Sequence, residues 1–348
     1  MISPIRNKFA ARPLWRLAPV AAIALMAVLA IVGDARAAEN AASQDIIQAV
    51  VGISAMIPED ARTAAHLGTM RSGNGIVIDD KGLVLTIGYL MLEASAAAVT
   101  DADGVLVRAS LVAYDHNTGF GLLRARHPLG IKPVQLGSSA DLVEGAPVMV
   151  ISKGGPMPVM AARVASRREF AGYWEYLLEN AIFTVPPNPQ YGGAALIDSN
   201  GHLVGIGSLA VNNAVQGPEA VHGNMFVPID ALKPILSELL EKGRTSKPRH
   251  PWLGVYTDEN RGRVVVTRTA AGGPADTAGI KPGDVILGVG GKRVKNIADF
   301  YRKVWARGSA GVEVPIDLVP ANARALKIRT LKVRSRDRYD WLKLNKGF

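Results

Sequence analysis

From Ile46 to Val227 the apolar residues come in short runs separated by turn-forming residues. The runs are Ala49–Met56, Gly75–Ile78, Leu83–Thr86, Val105–Tyr114, Phe120–Leu123, Ala146–Ile151, Val159–Ala165, Tyr176–Val185, Ala194–Ile197 and Leu203–Val211. The breaks between them include Asp79-Asp80-Lys81-Gly82, Asp101-Ala102-Asp103-Gly104 and Asp198-Ser199-Asn200-Gly201, which suit tight turns. Short strands at regular spacing predict a sandwich or a barrel. The period then changes. Ile229, Leu232, Ile235, Leu236 and Leu239 fall on one face of a helix predicted over Ile229–Lys242, with Gly243 as its stop.

Residues 243–250 are polar, basic and proline-containing, and read as a linker. A second module follows over 251–333. It has a strand at Arg263–Thr267, a helix near Ile297–Ala306 capped by Asn296 and stopped by Gly308, and closing strands near Val312–Leu318 and Ala325–Val333.

The N-terminus reads as a targeting segment. Arg6, Lys8, Arg12 and Arg16 precede an uncharged apolar run, Leu17 to Gly33, and Ala35-Arg36-Ala37 has the small-x-small form of a cleavage site. Residues 1–37 are therefore expected to be a cleaved signal peptide and the mature chain periplasmic. An uncleaved anchor helix is the alternative. The 348 residues include 40 Lys and Arg against 30 Asp and Glu. Nine of those basic residues, with two acidic ones, lie in 321–348, so the rest of the mature chain is close to neutral. That distribution argues against a nucleic-acid-binding face. Residues 334–348 are expected to form a basic tail that is solvated, or that touches anionic lipid.

The chain has no cysteine, which removes disulfide frameworks, thiolate metal sites and a cysteine nucleophile. Its six histidines are scattered, so no metal or cofactor is expected.

These landmarks together resemble a known family. Gly73-Asn74-Gly75-Ile76-Val77-Ile78, Tyr191-Gly192-Gly193-Ala194 and Asn200-Gly201-His202-Leu203-Val204-Gly205-Ile206 are similar to stretches of the trypsin-like domain of exported HtrA/Deg serine proteases. Pro274-Ala275, Ala278-Gly279-Ile280 and Gly283-Asp284-Val285-Ile286 look like the signature of a bacterial PDZ domain. The resemblance implies a mainly β fold: a chymotrypsin-like double β-barrel over 38–242 and a C-terminal PDZ domain over 251–333.

The resemblance also locates the catalytic positions, and there the chain departs from the family. Tyr89 stands where the family places its histidine, Gly119 where it places its aspartate, and Tyr191 where it places its serine. A neutral tyrosine, with an ordinary pKa near 10, is a poor general base at pH 7, and glycine has no carboxylate. The family's second oxyanion donor falls on Pro189, which has no N–H. Loss of one such donor slows acyl transfer by about 10²–10³. The expectation is a catalytically inactive member. Recruitment of His116 and Asp115 instead would require adjacent residues on a strand to point the same way. Tyr89 and Tyr191 then either fill the vacated space or line a cleft that holds peptide uncut.

For the PDZ module the resemblance assigns a carboxylate-binding nest to the backbone of Leu253, Gly254 and Val255, and a groove wall to Ile297, Phe300, Tyr301 and Val304. It implies peptide or protein C-termini and unfolded proteins as partners, with an active HtrA-type relative as a further one. The expected role is chaperone, adaptor or modulator. The alternative is an active periplasmic serine endopeptidase in protein quality control. HtrA-type trimers use aromatic residues near the start of the mature chain, and Ala38–Val50 has none, so the sequence does not assign an oligomeric state.

Overall fold

The computed structural model describes residues 43–155, 157–217, 219–323 and 327–344. The signal-peptide reading of 1–37 lies outside the described residues. From Ile46 onward the described chain forms one compact unit.

The first six strands close into a barrel in the order β1-β2-β3-β6-β5-β4. They are β1 Val50–Met56, β2 Met70–Val77, β3 Leu83–Ile87, β4 Ala96–Thr100, β5 Leu106–Tyr114 and β6 Phe120–Ala125. The next six form a second closed barrel in the order β10-β11-β12-β9-β8-β7. They are β7 Pro147–Ile151, β8 Val159–Gly172, β9 Tyr176–Val185, β10 Ala195–Ile197, β11 Leu203–Val211 and β12 Gly223–Pro228. Closure removes exposed sheet edges and turns alternate side chains inward. Ile76, Leu85, Leu122, Phe120, Phe183 and Ile206 accordingly lie in one buried core.

The third sheet has the order β13-β14-β15-β17-β18, with β16 paired to β15. Its strands are β13 Val255–Asn260, β14 Arg263–Thr269, β15 Val285–Val289, β16 Lys292–Arg293, β17 Glu313–Val319 and β18 Arg329–Arg334. Among the described residues, β13 pairs within the sheet only with β14. The double barrel followed by a small third module is the architecture that the resemblance implies.

Three expectations change. The helix expected over Ile229–Lys242 is a 3-10 turn at Ile229–Ala231 and then α1, Leu236–Lys242. Pro234 lies between them and cannot supply a helical N–H donor. The second helix, α2, spans Ile297–Trp305, with Asn296 accepting the Asp299 N–H as its cap. Its C-cap is Ala306 rather than a stop at Gly308.

The third change concerns the basic tail. Beyond β18 the chain turns back onto the body. Trp252 and Arg336 exchange backbone hydrogen bonds at 3.0 Å, and α3 follows at Arg338–Trp341. Trp341 and Leu342 bury themselves with Leu92, Trp252 and Ala270. The Lys343 N–H donates to Glu93 at 2.7 Å, and the Tyr339 hydroxyl to the Tyr114 carbonyl at 2.7 Å. Two apolar side chains and these hydrogen bonds make residues 335–343 a strap from the third module to the first barrel, in place of a solvated tail.

Candidate functional site

Tyr89, Gly119 and Tyr191 come together. All three line a cleft of about 320 Å³, with Ile87, Ser208 and Leu209 on the barrel side. Tyr89 lies on a 3-10 turn after β3, and its hydroxyl donates to the Ser208 carbonyl at 3.0 Å. Burial first, and Tyr191 beside it second, push its ionisation well above the ordinary tyrosine range, so the hydroxyl stays protonated at neutral pH.

Gly119 adopts φ 82° and closes a turn in which its N–H donates to the Asp115 carbonyl at 2.8 Å. Asp115 is buried, but its carboxylate is engaged by the Thr118 N–H and hydroxyl at 2.9 and 2.7 Å. His116 packs against Tyr114 and Tyr339, and neither ring nitrogen has a hydrogen-bond partner. Asp115 and His116 therefore form no base–orienter pair.

On the next loop the Gln190 N–H donates to Asn188 Oδ1 at 2.8 Å, and Pro189 precedes it without a donor. The glycines after Tyr191 are needed for packing. A Cβ on Gly192 would lie 2.9 Å from the Tyr89 hydroxyl. One on Gly193, at φ 75°, would lie 1.9 Å from the Asn74 carbonyl oxygen.

The nest is present and filled. Leu253, Gly254 and Val255 point their N–H groups at one carboxylate, that of Glu175. The distances are 2.9 Å from Leu253 to Oε2, 2.6 Å from Gly254 to Oε1 and 3.0 Å from Val255 to Oε1. Gly254 is in the left-handed region at φ 75°, the conformation that lets consecutive amides converge. Glu175 is the last residue of the three-residue turn Tyr173-Trp174-Glu175 between β8 and β9. Trp174 stacks on Tyr176 at 5.4 Å and steadies the tip. Burial pushes the Glu175 carboxyl up to about 7, outweighing the three amides and Arg338, which favour its charged form.

The backbone of the same tip follows β13. The Thr257 N–H donates to the Tyr173 carbonyl at 3.0 Å. The Tyr301 hydroxyl accepts the Glu175 N–H at 3.1 Å and donates to the Gly172 carbonyl at 2.7 Å. Of the expected groove wall, Ile297, Phe300, Tyr301 and Val304 are all buried in the third module's core. Tyr301 is the one whose polar end meets the tip. The sequence reading missed Glu175, whose partners lie 78 to 80 residues further along the chain.

Residues 73–206 match the trypsin-like peptidase domain family, and residues 251–323 match the PDZ domain family. The chain belongs to the HtrA/Deg family. It is 24% identical to the serine protease Do-like HtrA of Bacillus subtilis over 314 residues, covering 79% of this chain and 68% of that protein. It is 29% identical to the chloroplastic protease Do-like 1 of Arabidopsis thaliana over 276 residues, covering 71% of this chain and 60% of the relative. With the periplasmic serine endoprotease DegP of Escherichia coli K12 it shares 27% over 254 residues, covering 68% and 52%. The chain thus spans about half to two thirds of the length of these relatives. Among solved structures it is similar in fold to an HtrA-type protease, AlgW, with decapeptide. That match has a TM-score of 0.51 and 20% identity, and covers 85% of this chain and 98% of the other.

Proposed function

We propose that this HtrA/Deg-family chain is an exported pseudoprotease that binds protein C-termini or unfolded segments through its PDZ domain and does not cut them. The observation that carries this reading is the content of the cleft. Where attack, proton relay and orientation would be needed, it presents a half-buried neutral tyrosine held by a backbone carbonyl, a left-handed glycine and a second tyrosine. Acyl transfer needs a nucleophile within reach of a base and donors aimed at the oxyanion. Tyr191 has a hydroxyl, but the only side chain in the base position is Tyr89, and Pro189 supplies no donor.

The PDZ nest works differently. It uses backbone N–H groups and a strand edge, which need no titrating side chain. Both backbone elements are present in this chain, with Glu175 against the amides and Tyr173 against the edge. Peptide capture can therefore outlast the loss of hydrolysis, as in a chaperone, an adaptor or a modulator of an active relative. The N-terminal segment supports export to the periplasm, and the Escherichia coli relative DegP is a periplasmic serine endoprotease.

The test is incubation of the mature chain with unfolded β-casein, followed by gel electrophoresis over many hours. The casein should disappear no faster than in buffer. Cleavage that a single Ser→Ala replacement abolishes would replace this reading with that of a working endopeptidase.

A further inference from the structure

The tip of the β8–β9 hairpin meets the PDZ domain as a captured chain end would. Its carboxylate lies in the nest of three amides. Its backbone carbonyl at Tyr173 takes the N–H of Thr257, two residues beyond the nest on the strand edge that β14 does not cover. From α2, the Tyr301 hydroxyl grips it through Gly172 and Glu175. An anion in a backbone nest, a main-chain hydrogen bond to a sheet edge and an anchor from the facing helix are the elements by which an extended peptide is recognised.

The turn itself points the same way. Glu175 has φ 57°. The last position of a three-residue hairpin loop favours glycine, which adopts such angles freely. A long acidic side chain there does nothing for the turn. Here it spans to the second domain and satisfies three donors that would otherwise be buried without partners.

We infer that residues 172–175 are a resident surrogate ligand of the PDZ groove, and that the external partner is a protein chain end with a free α-carboxylate that must displace Glu175. This rests on the peptide-binding reading above. Two contacts hold the surrogate in place from either side: an ion pair between Arg302 and Glu169, and the Arg338 guanidinium donating to the Trp174 carbonyl at 3.2 Å. A groove that is mostly closed binds its partner with an affinity reduced by the open fraction. The surrogate therefore sets a threshold that only a well-fitting or abundant chain end crosses.

The experiment uses the whole mature chain and two pools of fluorescein-labelled decapeptides with randomised last four positions, one with free α-carboxylates and one amidated. Binding is read by fluorescence polarisation. Glu175→Gln removes the charge at nearly constant shape. Glu175→Asp keeps the charge and withdraws it by one methylene. Near-ultraviolet circular dichroism reports whether each variant is folded. Both variants should bind the free-carboxylate pool about tenfold more tightly than wild type, as expected when about nine tenths of the grooves are closed, and neither should gain affinity for the amidated pool. Equal carboxylate-dependent binding by wild type and folded variants would overturn the surrogate and leave the peptide-binding reading standing. Binding by none of the three would overturn both.

Discussion

The Gly254 amide donates to Oε1 of Glu175 at 2.6 Å, joining residues 79 positions apart and the second barrel to the PDZ domain. Around this hydrogen bond the two domains share a latch. Its charge lies in a small cavity lined by His116, His250, Arg249, Asp337 and Arg338.

The latch should respond to pH. Burial raises the Glu175 carboxyl to about 7, from an ordinary value of 4.5. A group whose folded pKa lies above its unfolded value contributes most below the unfolded value, and that contribution is lost as pH rises through the folded one. Of the neighbours, Arg338 favours the charged form, while burial holds His116 and His250 below the usual histidine range, so they stay neutral near pH 7. The melting temperature of wild type minus that of Glu175→Gln should therefore be largest near pH 5 and smallest near pH 8. Thermal melts across that range check it, and a difference that grows with pH would contradict it.

Restoring the triad should not restore the enzyme. Gly119 has φ 82°, where an L side chain is strained by about 1–2 kcal/mol. On the proposed reading Pro189 also withholds an oxyanion donor, and loss of one such donor slows acyl transfer about 10²–10³-fold. A chain carrying Tyr89→His, Gly119→Asp and Tyr191→Ser is expected to cleave a fluorogenic peptide at least about 10²-fold more slowly than a working HtrA-type protease. Parity with such a protease would sink the prediction.

Gly193→Ala should destabilise the barrels without touching any chemistry. The new methyl would stand 1.9 Å from the Asn74 oxygen at a left-handed residue. Overpacking and backbone strain each cost about 1–3 kcal/mol. Urea unfolding should give a loss of about 2–6 kcal/mol by those magnitudes. A neutral result would mean that the loop can move away.

Trp341→Ala tests the strap. Its ring is buried among Leu92, Trp252 and Leu342, with the Arg62 guanidinium 4.1 Å from its centre. Truncating a buried tryptophan costs about 3–5 kcal/mol. A comparable fall in stability is expected by urea unfolding. A negligible change would show that residues 335–343 do not hold the body together.

Much of this architecture was legible along the chain, because its barrels are built from short apolar runs bounded by turn-forming residues. Leu83–Ile87 and Tyr176–Val185 are plain in that respect. Two barrel strands were not read, nor were β13, β15 and β16 of the third module. Ala96–Thr100 is mostly alanine, which gives little contrast between its faces, and Gly223–Pro228 is bounded by two residues that usually mark turns. That Tyr89, Gly119 and Tyr191 share one cleft was readable because it depends on residue identity at fixed motif positions. The filled nest was not. Nothing near Glu175 announces its partners, and the only local sign is an acid at a turn position that favours glycine. Residues 335–343 misled for a related reason: their charge suggested solvent, while Trp341 and Leu342 carry the packing.

The most direct measurement is amide hydrogen exchange at Leu253, Gly254 and Val255 by nuclear magnetic resonance, in wild type and in Glu175→Gln. The occupied nest predicts slow exchange at all three amides in wild type. It predicts faster exchange there in the variant, while core amides such as those of Val264 and Ile316 stay protected. Fast exchange of the three in wild type, or no difference between the two proteins, would contradict it.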